Sequence, residues 1–288
     1  MFECVINISE GSDFKLLREI ADAGGDSVCD IHLDAVHNRS VLTLIAPDVM
    51  EDAKNVAKEA VNTLDIKIHK GLHPRFGVVD VVPFVPFTPG EIAPQSLDKA
   101  TEYRNEFVAW AQKDLGLPCV TYEPERSLPE TRKLLRQSAL GIFPHETAGV
   151  ACVGARKLLV AYNIYIGEGN GERAKLIAGR IRSASVRSLG FSLNGKEQVS
   201  CNLVDLTASG PQEAYEAVSR YTEITGTELV GLVPMGLLGQ IDAGLWEKLD
   251  LAYEKSPEYR LSLSPAKRKE LIASLLEEKL INSDGKSG

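Results

Sequence analysis

The chain has 288 residues, 44% of them hydrophobic and 25% charged, with a formal net charge of -8 at pH 7. That length accommodates two domains of ordinary size, and the composition is that of a globular protein in water. No apolar run approaches the ~20 residues that span a bilayer, so no membrane partner is expected. The acidic balance argues against nucleic acid, because binding a phosphate backbone needs clustered Lys and Arg. The start, Met1-Phe2-Glu3-Cys4, lacks a basic segment, so a secretory signal is not expected and a cytoplasmic location is. The cysteines at 4, 29, 119, 152 and 201 are odd in number, widely spaced and form no CxxC. They read as buried, unpaired thiols of a reducing compartment.

In chain order, Glu3 to Ile8 alternates as a strand, and Phe14 to Ala23 carries apolar residues at helical spacing up to Gly24-Gly25. Strands follow at Val28 to Leu33 and Ser40 to Ala46, joined by the polar connection Asp34 to Arg39. A helix opens near Pro47-Asp48 with Val56, Ala57, Ala60, Val61 and Leu64 on one face, and Val78 to Val85 is a strand. Strand, helix, strand, strand, helix, strand is the ferredoxin-like split βαβ order. A helix at Gln95 to Leu115, a strand at Cys119 to Tyr122 and a short helical pattern at Glu130 to Ser138 extend this half. The same order then recurs. Leu158 to Ile166 is a strand, Arg173 to Ala184 a helix, and Val186 to Leu193 with Gln198 to Leu206 a hairpin about Asn194-Gly195. Pro211 to Thr225 is a helix and Glu228 to Val233 a strand; helix continues over Met235 to Leu251, and a terminal helix follows Ser264-Pro265 to about Ile281. The expected fold is α/β (α+β), two ferredoxin-like βαββαβ subdomains at 1–156 and 157–288.

An open four-stranded sheet of this kind carries helices on one face. Asp30, His32 and Asp34 share one side of their strand while Ile31 and Leu33 take the other, and three ionisable groups on one face do not suit a core. Asn163 and Asn202 interrupt apolar strands of the second half in a comparable way. Two polar sheet faces looking at each other across a cleft is the expectation, with exposure to bulk water as the plain alternative.

Between the second helix and the following strand, His69-Lys70-Gly71-Leu72-His73-Pro74-Arg75 concentrates cationic groups in an otherwise acidic chain. Gly71, Pro74 and Gly77 deny it a helix, so these groups sit on a shaped loop. His69 and His73 are four apart, a spacing that serves a metal only when a helix presents both, and no third ligand follows at a fixed offset; no metal is expected. An unperturbed histidine titrates near ~6.5, so His73 can take and give a proton at neutral pH. Lys70 and Arg75 beside it suit an anionic substrate, Arg75 as a two-pronged carboxylate clamp. Gly167-Glu168-Gly169-Asn170-Gly171 lacks the Lys-Ser/Thr of a phosphate loop and reads as a plain strand-to-helix turn. No GxSxG is present, which leaves acyl-enzyme chemistry unsupported.

Separated motifs in one order resemble the glutamate formimidoyltransferases of histidine degradation, in the form without the fused cyclodeaminase domain. Glu3 to Gly11 looks like the opening ECVPNFSEG, His37 to Val41 like the (H)NR(S/T)V hairpin, and His69 to Asp80 like HKGEHPR-x-G-xxD. Asp80 to Pro86, Gly149 to Lys157, Ala161 to Ile164, Gln198 to Asp205 and Glu228 to Pro234 are similar to further family segments. The resemblance implies transfer of a formimidoyl group between 5-formimidoyltetrahydrofolate and L-glutamate, with tetrahydrofolate as co-substrate and His73 as the acid/base. It implies folate contacts at Pro144, His145, Glu146, Thr147, Ala148 and Gly149, to which Asn163 and Asn202 are added. The glutamate is expected to meet Lys70, Arg75, Asn38, Arg39, His32, Asp34 and His69. Expected partners are thus folate and glutamate, and a homodimer stays open. Leu72 stands where the family has a glutamate, and the segment before Pro144 is shorter, without a DFGP-like stretch. The runner-up is a folate-binding homologue with another acceptor, for instance one handling 5-formyltetrahydrofolate, or without catalysis.

Overall fold

The mostly buried segment Phe2–Ile8 makes the first strand, β1, and Asp13 caps the helix α1 (Phe14–Ala23) by accepting from Leu16 N at 3.0 Å. The computed structural model describes residues 1–71 and 75–284. Next come β2 (Val28–Asp34), β3 (Arg39–Ala46), α2 (Met50–Thr63), β4 (Val79–Pro86), α3 (Asp98–Asp114), β5 (Cys119–Tyr122), α4 (Leu128–Arg136) and β6 (Ala151–Ala155). The second series is β7 (Val160–Glu168), α5 (Glu172–Ile181), β8 (Val186–Leu193), β9 (Lys196–Leu203), α6 (Pro211–Ser219), β10 (Gly226–Val230), α7 (Met235–Leu238), α8 (Pro257–Ser262) and α9 (Pro265–Asp284). The chain thus has the expected mixed α/β content, with two sheets.

Two compact units divide it. One comprises Met1–Phe87, Ser96–Arg156 and the segment from Leu263 onward; the other comprises Thr88–Gln95 and Lys157–Ser262. The sequence reading assigns everything after Arg156 to the second half. The structure instead returns α9 to the first unit, where Ile272 and Leu276 are buried in its core beside β2. β2 is an edge strand, and α9 packs against it.

The first unit's sheet has six strands in the order β2-β3-β1-β4-β6-β5, not the four expected. β6 is missed because Ala151–Ala155 is buried at every position and gives no alternation to read. Its partners β4 and β5 run parallel to it, whereas β1, β2, β3 and β4 pair antiparallel. α1, α2, α3 and α9 cover one face, over Cys4, Ile6, Leu42, Leu44, Val82 and Phe84. On the other face, Leu128 and Leu135 of α4 pack at one end over Val81, Val120, Tyr122 and Cys152. Helices therefore flank both faces there, which corrects the one-sided expectation.

The second unit is a four-stranded antiparallel sheet in the order β10-β7-β9-β8, the fourth-first-third-second order that β4, β1, β3 and β2 also follow. Gly190 lets α5 lie close on it, since a Cβ there would fall 2.2 Å from the main chain of Ala174. The helix expected over Met235 to Leu251 is only α7 and a short 3-10 turn, Ala243–Leu245, in a stretch broken by Gly236, Gly239 and Gly244. The helix expected to reach Thr225 ends at Ser219. Among the described residues no helix is long and apolar enough to cross a membrane.

Because α9 contributes buried apolar surface to the first unit, Leu276→Ala should destabilise the protein by about 2–5 kcal/mol, read as a lower denaturant midpoint. An unchanged midpoint would show that α9 is not part of this core.

Candidate active site

The described flanks of the basic loop are tied down on two sides. On one side is the β2–β3 hairpin, whose Asn38 has positive φ (46°), as suits a tight connection. Its side chain is engaged at both ends: Oδ1 accepts from Gly11 N at 2.8 Å, and Nδ2 donates to the Lys70 carbonyl at 2.9 Å. Its carbonyl lies 2.8 Å from His69 Nε2. Gly11 leaves no space for a side chain, as a Cβ would stand 2.5 Å from Arg39 N and Asp34 O. Asn38, expected to touch substrate, thus links three segments of main chain in the structure.

On the other side is the turn at 145–149. Gly77 bridges to Gly149, Val78 N donates to Ala148 O at 2.9 Å, and Val150 N donates to Phe76 O at 2.9 Å. Ile66 N donates to Thr147 O at 2.7 Å, and Lys67 pairs with Glu146 on the surface at 2.7 Å. The turn is closed by reciprocal main-chain bonds between His145 and Gly149, at 2.9 and 3.0 Å. His145 Nδ1 accepts from Ala148 N at 3.1 Å, which orients the ring within the turn. Gly149 has φ +73°, and a Cβ there would fall 2.1 Å from Phe76 O, so this crossing requires glycine. The described flanks of the basic loop and the expected folate segment are accordingly joined by main-chain hydrogen bonds.

His69 is held between Asn38 O and the guanidinium of Arg75, which bonds to His69 Nδ1. With Nε2 donating to a carbonyl and Nδ1 accepting from a cation, the network assigns the ring its neutral tautomer. Burial lowers the pKa of Arg75, against the attraction of Asp80. Arg39 bonds to Asn7 Oδ1; burial pushes it down to about 10, with Asp80 and Asp34 opposing and Arg132 and Arg75 adding to the shift. A field of guanidinium and carboxylate groups therefore surrounds Arg39.

Asp80 is central to that field. It falls at the irregularity in the β1–β4 pairing, between Val79 opposite Ile8 and Val81 opposite Asn7. A bulge of this kind re-aims a side chain. The buried Asp80 carboxylate accepts from Arg132 of α4 and, at 2.9 Å, from Phe76 N. Sequence reasoning does not select Asp80, Arg132 or Asn7. An aspartate inside the valine-rich run Val78 to Val85 is a usable signal; Arg132, on a short surface-type helix, offers none.

Of the other expected residues, Asp34 accepts from His37 N at 2.8 Å, and His32 lies between Asp30 and Asp34 on the polar side of β2, with Val41 opposite it. His73, Leu72 and Pro74 lie outside the described residues. Asn163 and Asn202 belong to the second unit: Asn163 Nδ2 donates to Glu228 Oε2 at 3.0 Å, and Asn202 is exposed on β9. The glycine-rich turn at 167–171 holds the chain's own carboxylate. Glu197 accepts from Gly171 N at 3.0 Å and from Arg173 Nε at 2.7 Å, filling the place an external anion would take. Among the described residues no three His, Cys, Asp or Glu side chains gather as metal ligands would. All five cysteines are unpaired and buried, and burial pushes Cys29 up to about 11 and Cys119, Cys152 and Cys201 to about 12.

Fold and site define a two-unit α/β protein with a cationic, main-chain-braced loop suited to small anionic molecules. A sequence model of the formiminotransferase domain, N-terminal subdomain, matches residues 1–145. A glutamate formimidoyltransferase of Thermoplasma acidophilum is 30% identical over 81% of this chain and 88% of its own length. One from Streptococcus pyogenes serotype M1 is 29% identical over 88% of this chain and 95% of its own. The formimidoyltransferase-cyclodeaminase of Sus scrofa is 30% identical over 96% of this chain, which spans 60% of that longer protein. The chain belongs to the formiminotransferase family.

Two outcomes follow from the geometry. Asn38→Ala, which removes two main-chain ties and puts Ala at positive φ, should cost about 2–4 kcal/mol of stability and speed amide exchange at 69–71; wild-type exchange there would show that the hairpin does not brace the loop. The native protein should resist iodoacetamide at pH 8 and react fully once unfolded, because the thiols are both covered and held protonated. Rapid native labelling of any cysteine would contradict the burial seen here.

Proposed function

We propose that this protein is a glutamate formimidoyltransferase, moving a formimidoyl group between N5 of tetrahydrofolate and the amine of L-glutamate, in the cytoplasm. Family membership supports the reaction class. The observation that carries the reading to the site is the bracing of the segment that follows Arg75 on the 145–149 turn through the Gly77–Gly149 bridge. It brings the cationic residues and the segment proposed for folate into one rigid element.

In this reading Lys70 and Arg75, with Arg39 behind them, hold the glutamate carboxylates. Arg75 is pre-set for this by its bond to His69, so less ordering is lost when substrate arrives. His73 accepts a proton from the glutamate ammonium or amine, and the amine nitrogen attacks the amidine carbon to form a new C–N bond. The tetrahedral intermediate collapses by breaking the carbon–N5 bond, and His73 returns the proton to N5, releasing tetrahydrofolate. Proton and group transfer balance without an external oxidant or reductant. Leu72, apolar where the family has glutamate, favours a second reading in which the same donor serves a different acceptor.

Turnover of 5-formimidoyltetrahydrofolate with a panel of amino-acid acceptors decides between these. Wild type should use glutamate, His73→Ala should lose about 10²–10⁴-fold in kcat, and Arg75→Lys should raise the KM for glutamate about 10–100-fold. Transfer to another acceptor in preference to glutamate establishes the second reading. Absence of transfer to every acceptor, or wild-type turnover in His73→Ala, overturns the mechanism.

A further inference from the structure

A cavity of about 330 Å³ opens in the first unit between α1, the 3-10 turn Gly25–Ser27 and α9, at the start of β2. Its lining follows from helical spacing. Arg18, Ala21 and Asp22 share one face of α1, and Arg268, Lys269 and Ile272 share one face of α9. Small residues make the room, because Ala21, Gly25 and Ala273 leave space where the two helices meet. The volume lies at the small end of the range of ligand pockets, about 300–1,000 Å³. β2 has seven residues, so the hairpin that braces the basic loop begins roughly 20 Å away, at the other end of that strand. This cavity is therefore separate from the candidate active site.

Floor and rim differ in chemistry. Ala21, Val28 and Ile272 are buried and make an apolar floor, while Arg18, Asp22, Asp26 and Lys269 are exposed at the rim. Arg268 stands between them, half-buried. Its guanidinium is anchored, Nη1 donating to Leu263 O at 2.7 Å and Nη2 to Asp26 O at 2.9 Å. Both acceptors are neutral carbonyls, and Arg268 forms no ion pair with a described residue. Arg18 and Asp22, one turn apart on α1, likewise enter no ion pair with any described residue. Lys269 and Asp26 pair only loosely, at 3.9 Å and in contact with water. The cavity thus sets charges of both signs above an apolar surface, with most of their pairing capacity unused.

That pattern selects among ligands. A simple cation would meet the positive groups of Arg18, Arg268 and Lys269. A phosphate or a dicarboxylate would bring its second negative charge against Asp22 or Asp26. A neutral apolar molecule would cover the rim charges without pairing them. A zwitterion with a short apolar body meets every part of the lining. Its carboxylate lies between Arg18 and Arg268, its ammonium at Asp22, and its body on Ala21, Val28 and Ile272. Residues one helical turn apart have Cβ atoms about 5–6 Å from each other, so Arg18 and Asp22 can bracket two charges carried on a single carbon. The anchored guanidinium of Arg268 loses little freedom when such a ligand arrives. We infer that the α1–α9 cavity binds a free α-amino acid with an apolar side chain. Glutamate does not fit it, because its side-chain carboxylate would rest on the apolar floor. The inference is independent of the transferase reading.

Calorimetric titration and thermal melting of the full chain test it. The probes are L-leucine, L-valine and L-phenylalanine, each with its N-acetyl derivative, which lacks the ammonium, and its amide, which lacks the carboxylate. At least one of the three amino acids should bind and raise the melting temperature, and its two derivatives should bind about tenfold or more weakly. Ala273→Phe, which fills the cavity, should abolish binding, and Arg18→Gln should weaken it about tenfold or more. An excess of L-glutamate should leave the bound amino acid in place. Absence of binding by all three amino acids, wild-type affinity in Ala273→Phe, or displacement by glutamate overturns the inference. Equal affinity for the N-acetyl derivative overturns it too, since the ammonium then plays no part. Should Ala273→Phe not fold, the exposed Arg18→Gln decides, and unchanged affinity there overturns the inference.

Discussion

The main-chain pairing of Gly77 with Gly149 is the constraint on which the candidate site depends. The described residues between α2 and β4 belong to no helix or strand, so their backbone donors and acceptors need partners elsewhere. The 145–149 turn supplies them through Phe76, Val78 and Ile66, while Asn38 supplies the rest from the opposite side. Such bonds hold the described flanks of the loop in place. That suits a site in which a small displacement of a proton-transfer group is expensive.

The charges around the loop are arranged for geometry more than for stability. Arg132 with Asp80 and Arg39 with Asn7 are largely removed from water, where the desolvation of an ion offsets most of what its partner returns. Their value lies in fixing directions. The bulge at Asp80 turns a carboxylate out of strand register, and that carboxylate then positions both a main-chain N–H at Phe76 and a guanidinium from α4. Arg75 in turn is aligned by its bond to His69.

The same strand order serves the two units differently. In the first it is extended by two parallel strands, and α4 closes one end of the second face. In the second it remains four strands, and Gln198, fully buried on β9, keeps an unpaired amide. The glycine-rich turn of that unit, which has the place of a phosphate loop, is already neutralised by Glu197.

Local pattern by itself determined much of this protein. Period-2 and period-3.6 spacing located β1, α1, β5 and the paired strands about Asn194-Gly195 to within about three residues, and the order of elements yielded the doubled βαββαβ topology. The motif at 69–80 marked the loop proposed to carry the chemistry. What tertiary structure alone decided are features whose cause is distant in the chain. β6 is uniformly buried, so it has no period to read, and only its parallel partners make it a strand. The return of α9 to the first unit depends on an apolar groove beside β2 formed by residues more than two hundred positions earlier. Asn38, Asp80 and Arg132 acquire their roles from hydrogen bonds to segments they meet only on folding. Gln198 looks like an ordinary strand residue until its surroundings show that its amide has no partner, a property of packing that no sequence pattern encodes.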